Sequence, residues 1–424
     1  LPESFKFIRE CNLEVFLRIL FKIWYYLCQL AEKVFFLLSF AMVWVLHKIK
    51  KPRIRPKTLL LIKLDAIGDY VLFRNFLQPL REAYAGYEIT FLCNADFLEI
   101  VHAYDRSCVD HIIPVDMHKW YRVYALFYRP KMLYLLNQQG YEIVIVPTYH
   151  RFPHRDDYLV RLIHAQHKIG SKGLELTRQW HKATENLRPC DMAYTTLLDT
   201  TPEELFEFER NKEFFSQLLQ RPLTEIQLHL PTLPANNSLS LSLPMSYGVF
   251  FLGASDPRRK WALASWVALA KKISPAFSIV LCGSKKEVLD ALQIIDSVPE
   301  AINLAGKTTW IELFHVLSKA SFIVSNETAI PHFSVALGLG PVFVISNANT
   351  LKRFVPYPEY MNANYHVIYH PKVEALLQTS HGFGRCIEIY GYCGMLDLRI
   401  PHPQFSQRVA DKMAIANPDF IKDT

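Results

Sequence analysis

The sequence predicts an α/β protein of two doubly wound lobes facing a cleft, preceded by an apolar and basic helical segment. Three observations carry this. Apolar runs and amphipathic segments alternate from Thr58, and the same alternation restarts at Tyr247. Between them runs an aperiodic stretch holding Pro222, Pro231, Pro234 and Pro244.

In the first alternation, Thr58–Leu64 (TLLLIKL) reads as a strand buried on both faces, followed by a helix over Gly68–Ala83. Strands are expected at Glu88–Asn94, His111–Val115 and Tyr141–Pro147, and helices at Trp120–Asn137 and Asp156–Ala165. The second alternation predicts strands at Tyr247–Leu252, Phe277–Cys282, Ala301–Leu304, Phe322–Ser325 and Val342–Ser346. Its helices are Ala262–Ile273, Lys286–Ile295, Thr309–Lys319 and Ile330–Leu337, with a terminal helix near Val409–Ala416. The divisions that follow are a helical segment 1–57, an N-terminal lobe 58–221, a linker 222–246, a C-terminal lobe 247–360 and an extension 361–424. At roughly 100–200 residues per domain, 424 residues suit that organisation.

The net charge of +7 is confined to one end. Residues 1–57 hold eleven Lys/Arg against four Asp/Glu, and the rest of the chain is balanced, which argues against a nucleic-acid-binding body. Val34–Leu46 is the longest uncharged run there. As a helix it rises about 20 Å, short of the roughly 30 Å hydrocarbon core, and a basic KIKKPRIRPK flank follows. That pattern suits a hairpin lying on an anionic membrane surface; packing on the protein's own body or a true span are the other readings. It does not resemble a cleavable leader. The eight Cys are scattered with no CxxC, so free thiols are the simplest account. Cys386 and Cys393, with His381 and His402 nearby, are the one alternative ligand group.

Three constellations carry chemistry. After the first strand comes Lys63-Leu64-Asp65-Ala66-Ile67-Gly68-Asp69, where Gly68 permits close approach and Asp69 falls in a helix's first turn. Asp69 can take a proton from a hydroxyl, or Asp65 or Asp69 can simply cap the helix. After the first strand of the second lobe, Gly253 to Trp261 (GASDPRRKW) offers Ser255, Arg259 and Lys260 as an anion cradle, or as a solvated charge cluster. The third is Ser325 to His332 (SNETAIPH), in which Thr328 and the helix start make a second phosphate site. Glu327 there can hold sugar hydroxyls, and His332 is either packed or functional. No GxGxxG follows a lobe's first strand, and GxxxxGK[ST], HExxH and GxSxG are missing, so the readings built on them fall.

These segments, in this order, resemble glycosyltransferase family 9, the heptosyltransferases of lipopolysaccharide synthesis. The matching stretches are LLLIKLDAIGDYVLFRNFLQPLRE from Leu59, GASDPRRKWALASWVALAKKI from Gly253, NLAGKTTWIELFHVLSKASFIVSNETAIPHFSVAL from Asn303, and Arg353-Phe354 with PYP at 356–358. The resemblance implies a GT-B fold and metal-independent inverting transfer. It also implies a nucleoside-diphosphate sugar as donor, ADP-heptose being the family's, with no other cofactor. Asp69 matches the family's proposed base, with Asp65 and Gly68 on the acceptor side. Ser255, Arg259, Lys260, Asn326, Glu327, Thr328, Ala329 and His332 match the donor side. Arg259 stands where the family has a lysine, and Glu327 and Ala329 replace the Asp and Gly of its D-T-G-x-x-H. The implied acceptor is a lipid-linked or lipopolysaccharide saccharide, and the implied location is the cytoplasmic face of a bacterial inner membrane. A sugar-nucleotide epimerase of the same architecture and a non-catalytic membrane-docked scaffold are the rival classes.

Overall fold

A computed structural model describes residues 53–121, 125–152, 155–175, 190–233, 243–381 and 396–420, with Val34, Leu37, Leu38, Ala41, Met42, Val43, Val45 and Cys386 besides. Most of the 1–57 segment, and Cys393, lie outside the described residues.

The first lobe is built on a parallel sheet. Strands β1 (Thr58–Lys63), β2 (Glu88–Asn94), β3 (His111–Val115), β4 (Tyr141–Val146), β6 (Ala165–Ser171) and β8 (Thr196–Leu198) lie in the order β3-β2-β1-β4-β6-β8. A two-strand ribbon of β5 (His150–Arg151) and β7 (Leu174–Glu175) stands apart. β1 is buried along its whole length, as an apolar run flanked by partners on both sides must be, pairing Leu60 with Thr90 and with Val144. The second lobe repeats the plan with β9 (Tyr247–Phe251), β10 (Ser278–Cys282), β11 (Ile302–Asn303), β12 (Phe322–Asn326), β13 (Val342–Ser346) and β14 (Tyr365–Tyr369), in the order β11-β10-β9-β12-β13-β14. Strand order reverses between β1 and β4 and again between β9 and β12. In open parallel sheets such reversals open a crevice at the strands' carboxyl ends, where ligands bind. The Asp69 turn, the Gly253 loop and the Glu327 turn all leave strands at these two points.

Four differences from the sequence reading have physical causes. The helix expected over 68–83 is two, α1 (Ile67–Phe73) and α2 (Leu77–Ala83), joined by a 3-10 turn at Arg74–Phe76. Pro79 lacks the N–H a continuous helix would need and sits instead in a new first turn. β6 was not expected because AQHKIGS has little apolar character and its first half is exposed or half-buried. β14 extends the second sheet past residue 360, so the lobe reaches beyond the boundary drawn from sequence. The terminal helix spans Pro403–Ala416, longer than expected, and its Phe405, Val409 and Met413 join the second lobe's core with Trp261 and Trp266.

The interior faces of the two lobes share one apolar cluster, running from Leu61, Val71 and Phe97 through Phe314 and Phe333 to Val249 and Val344. The five described cysteines are free thiols, as expected; Cys93, Cys108, Cys282 and Cys386 are buried and Cys190 half-buried.

Candidate active site

β1 ends by delivering Lys63 and Asp65 into the first lobe's crevice. Lys63, fully buried, ion-pairs with Asp65 at 2.9 Å. Arg155, which enters from before helix Asp156–Leu162, grips the other carboxylate oxygen, and Thr148 Oγ1 donates to Asp65 Oδ2 at 3.0 Å. Burial alone would raise this carboxyl, yet Lys63 and Arg155 hold it well below the usual carboxylate range. The expectation that Asp65 meets an acceptor is therefore corrected: both oxygens are committed, and Asp65 fixes the turn.

The helix that follows has Ala66 at its N-cap and no side-chain cap, so neither Asp65 nor Asp69 serves that purpose. Asp69 is 7% exposed and faces the other lobe, where Arg353 Nη2 donates to its Oδ1 at 2.7 Å. Burial pushes its carboxyl up to about 6, against the pull of Arg353 and with repulsion from Asp65 and Glu207 adding to the rise. That places it near the range where a carboxylate both ionises and accepts protons at neutral pH. At Gly68, a Cβ would lie 3.1 Å from His332 Cδ2 and 3.8 Å from the Ala329 Cα, so the two lobes' turns approach closely here and a side chain would crowd His332.

On the second lobe, Asp256 caps the turn Pro257–Arg259 and ion-pairs with Arg258 at 2.8 Å. Lys260 turns away to Glu287 (3.1 Å) and Asp290 (2.8 Å), so its expected donor-side role is corrected to one of bracing the loop. Arg259 keeps its guanidinium on the interior side. It donates to the Glu327 carbonyl at 3.3 Å and to the Ser255 hydroxyl, while its buried Nε finds no hydrogen-bond partner among the described residues. A cation with an unspent donor beside a helix start is what a phosphate oxygen seeks.

Asn326 departs from expectation in the same way as Lys260. Its amide bonds the Leu252 and Gly253 carbonyls (2.8 and 3.3 Å) and accepts the Trp261 N–H at 2.9 Å, pinning the loop from β9 to the end of β12. Glu327 accepts from Ser346 at 2.5 Å and from Thr350, which commits both its oxygens to the loop after β13. Thr328 caps helix Ala329–Ala336 by accepting from the Ile330 N–H at 3.2 Å. His332 is buried, bonded through Nδ1 to the Tyr357 hydroxyl at 2.8 Å, and its imidazole is pushed down to about 3 by burial and by Arg259. It stays neutral at physiological pH, a packed imidazole that also lines the contact with Gly68.

Of the expected residues, the structure thus brings Gly68, Asp69, Ala329 and His332 together across the lobes, with Arg259, Ser255 and Thr328 beside them. It adds three that sequence reasoning left without a role: Arg353, Glu207 and Arg155. Arg353 Nε holds Glu207 at 2.9 Å while Nη2 holds Asp69. The RF and PYP letters around it were the available signal.

Residues 193–372 match the model for glycosyltransferase family 9 (heptosyltransferase), so the resemblance read from sequence holds over the second sheet and its site loops. The match does not reach Asp69. No curated protein matches the chain by sequence. Among solved structures, E. coli heptosyltransferase WaaC with ADP is similar at a TM-score of 0.58 and 18% identity, covering 85% of this chain and 99% of its own. A glycosyl transferase family 9 protein from Veillonella parvula is similar at 0.58 and 17%, covering 85% and 98%. E. coli ADP-heptose lps heptosyltransferase II aligns at 0.50 and 16%, covering 84% and 100%. At these identities the likeness is one of fold, and that fold is the two-lobed GT-B arrangement.

Proposed function

We propose that this protein is an inverting glycosyltransferase that moves a heptose or related sugar from a nucleoside-diphosphate sugar, ADP-heptose foremost, to a lipid-linked or lipopolysaccharide saccharide. The observation that carries the reading is the placement of Asp69: a buried carboxyl, raised to about 6, set against the helix start of a lobe that matches the family. Asp69 accepts the proton of the acceptor hydroxyl as that oxygen attacks the anomeric carbon. The bond to the diphosphate breaks on the opposite face, inverting the centre. Negative charge gathers on the departing phosphate, where Arg259, the Ser255 hydroxyl and the N–H groups behind Thr328 and Ala329 stand ready. The Arg259 cation and those fixed dipoles stabilise that charge, so the reaction as proposed needs no metal.

The proposed place of action is a membrane surface on the cytoplasmic side. Val34, Leu37, Leu38, Met42 and Val45 are exposed at helical spacing on one face, while Val43 packs into the first lobe's core beside Trp120 and Leu133. No helix among the described residues is long and apolar enough to cross a membrane.

The test is release of ADP from ADP-heptose with heptose-free lipopolysaccharide as acceptor, the product's anomeric configuration being read by NMR. An inverted glycoside is expected. Retained configuration, or an epimerised nucleotide sugar formed without acceptor, would overturn the reading.

A further inference from the structure

The first part of the loop between β13 and β14 is tied twice to the donor-side turn. Glu327 holds it through Ser346 and Thr350, and His332 holds it farther on through Tyr357. At its tip the chain doubles back: Phe354 N–H donates to Thr350 O at 3.0 Å, Lys352 N–H to Val355 O at 2.8 Å, and Lys352 takes a left-handed φ of 67°. Arg353 projects from this tip across to the first lobe. Its guanidinium is forked between Asp69 and Glu207, its carbonyl accepts the Glu207 N–H at 2.9 Å, and its Cζ lies 4.5 Å from the Phe354 ring centre.

We propose that Arg353 is a positioning residue for the transfer reaction, aiming the Asp69 carboxylate from the opposite lobe and linking its readiness to the loop that Glu327 and His332 pin. This rests on Asp69 being the base. Glu207 acts as the second anchor, holding Nε while Nη2 reaches Asp69. Glu327, on this account, is the root of the arm rather than a hydroxyl ligand. Asp69 also faces Lys63 and Asp65 from β1 and its turn, Glu207 from helix Glu207–Leu218, and the neutral His332 from helix Ala329–Ala336. Arg353 is the cation in direct contact with it, so its loss is what the carboxylate will feel most.

The experiment compares the wild type with Arg353→Gln and Arg353→Lys, following ADP release from ADP-heptose with heptose-free lipopolysaccharide between pH 5 and 9. In Arg353→Gln the acidic limb of kcat is expected to move up by about one pH unit or more. At pH 7, kcat should fall about tenfold or more while KM for ADP-heptose stays within about twofold. Arg353→Lys, which keeps the charge, should return the limb most of the way. A limb that stays in place in Arg353→Gln, or a rise in KM with kcat intact, overturns the proposal.

A second readout separates its failure from that of the underlying assignment. In protein labelled with carbon-13 at the aspartate carboxyls, the Asp69 signal is identified by its loss in Asp69→Asn. Its titration midpoint should rise in Arg353→Gln, and an unchanged midpoint overturns the Arg353 role alone. Near-wild-type turnover in Asp69→Asn would instead remove the base, and the proposal with it, even where the midpoint moves.

Discussion

At the scale of single residues, the candidate site is set by which polar groups are already committed and which are not. Asp65 and Asp69 stand four apart and look alike in sequence. One is locked by Lys63 and Arg155; the other meets the opposite lobe. Replacing Asp69 by Asn should lower kcat by about 10²- to 10⁴-fold, the usual worth of a general base, with ADP-heptose affinity within about twofold by calorimetry. With Asp69 as the proposed base, acting in its ionised form and with its carboxyl raised to about 6, wild-type kcat should fall as pH drops through about 6 and be flat above 7. A profile already flat at pH 5 would count against Asp69. Gly68→Ala would press a methyl to 3.1 Å from His332, a buried ring hydrogen-bonded to Tyr357. The expected loss is about 1 kcal/mol in denaturant unfolding, at the mild end of overpacking. Sequence showed the carboxylates and their order along the chain. It could not show that Asn326, Glu327 and Lys260 spend themselves on their own lobe, because those partners (Leu252, Thr350, Asp290) lie 23 to 74 positions away.

At the scale of elements, buried apolar strands were the most legible, since β1, β2 and β13 are runs of residues with no other place to go. β6 and the edge strands β8 and β14 were not, because their apolar character is diluted by His, Lys and Thr. Helix Trp310–Ser318 has a further feature no local pattern reveals. Its N-terminal N–H groups at Trp310 and Ile311 are met by the Glu99 carboxylate at 3.1 and 3.3 Å, an anion supplied by the other lobe to the positive end of its dipole. Glu99→Gln should cost about 1 kcal/mol in chemical denaturation, and no change would mean that Thr309 alone suffices as the cap. The exposed stripe of Val34, Leu37, Leu38, Met42 and Val45 calls for its own measurement. The pair Leu37→Glu and Leu38→Glu should weaken co-flotation with vesicles containing anionic lipid several-fold. Binding by the wild type should itself fall with added salt.

At the scale of the whole molecule, the two-lobed plan was readable because each half announces itself with an apolar strand and a turn bearing small or charged residues. The way the lobes are joined was not readable, since it rests on pairs such as Asp69 with Arg353, 284 positions apart. Ligand binding to the folded state should register as stability: at 100 times its Kd, ADP-heptose should add about 2.7 kcal/mol, measured as a raised unfolding midpoint. The apolar cluster that runs without a break from Leu61 to Val344 has a consequence for anyone wishing to dissect this protein. A gene cut after Leu233 would yield two fragments, each baring an oily wall that the other normally covers. Neither piece should stay in solution by itself, and co-expression, not separate purification, is the route by which such halves would recover a working enzyme.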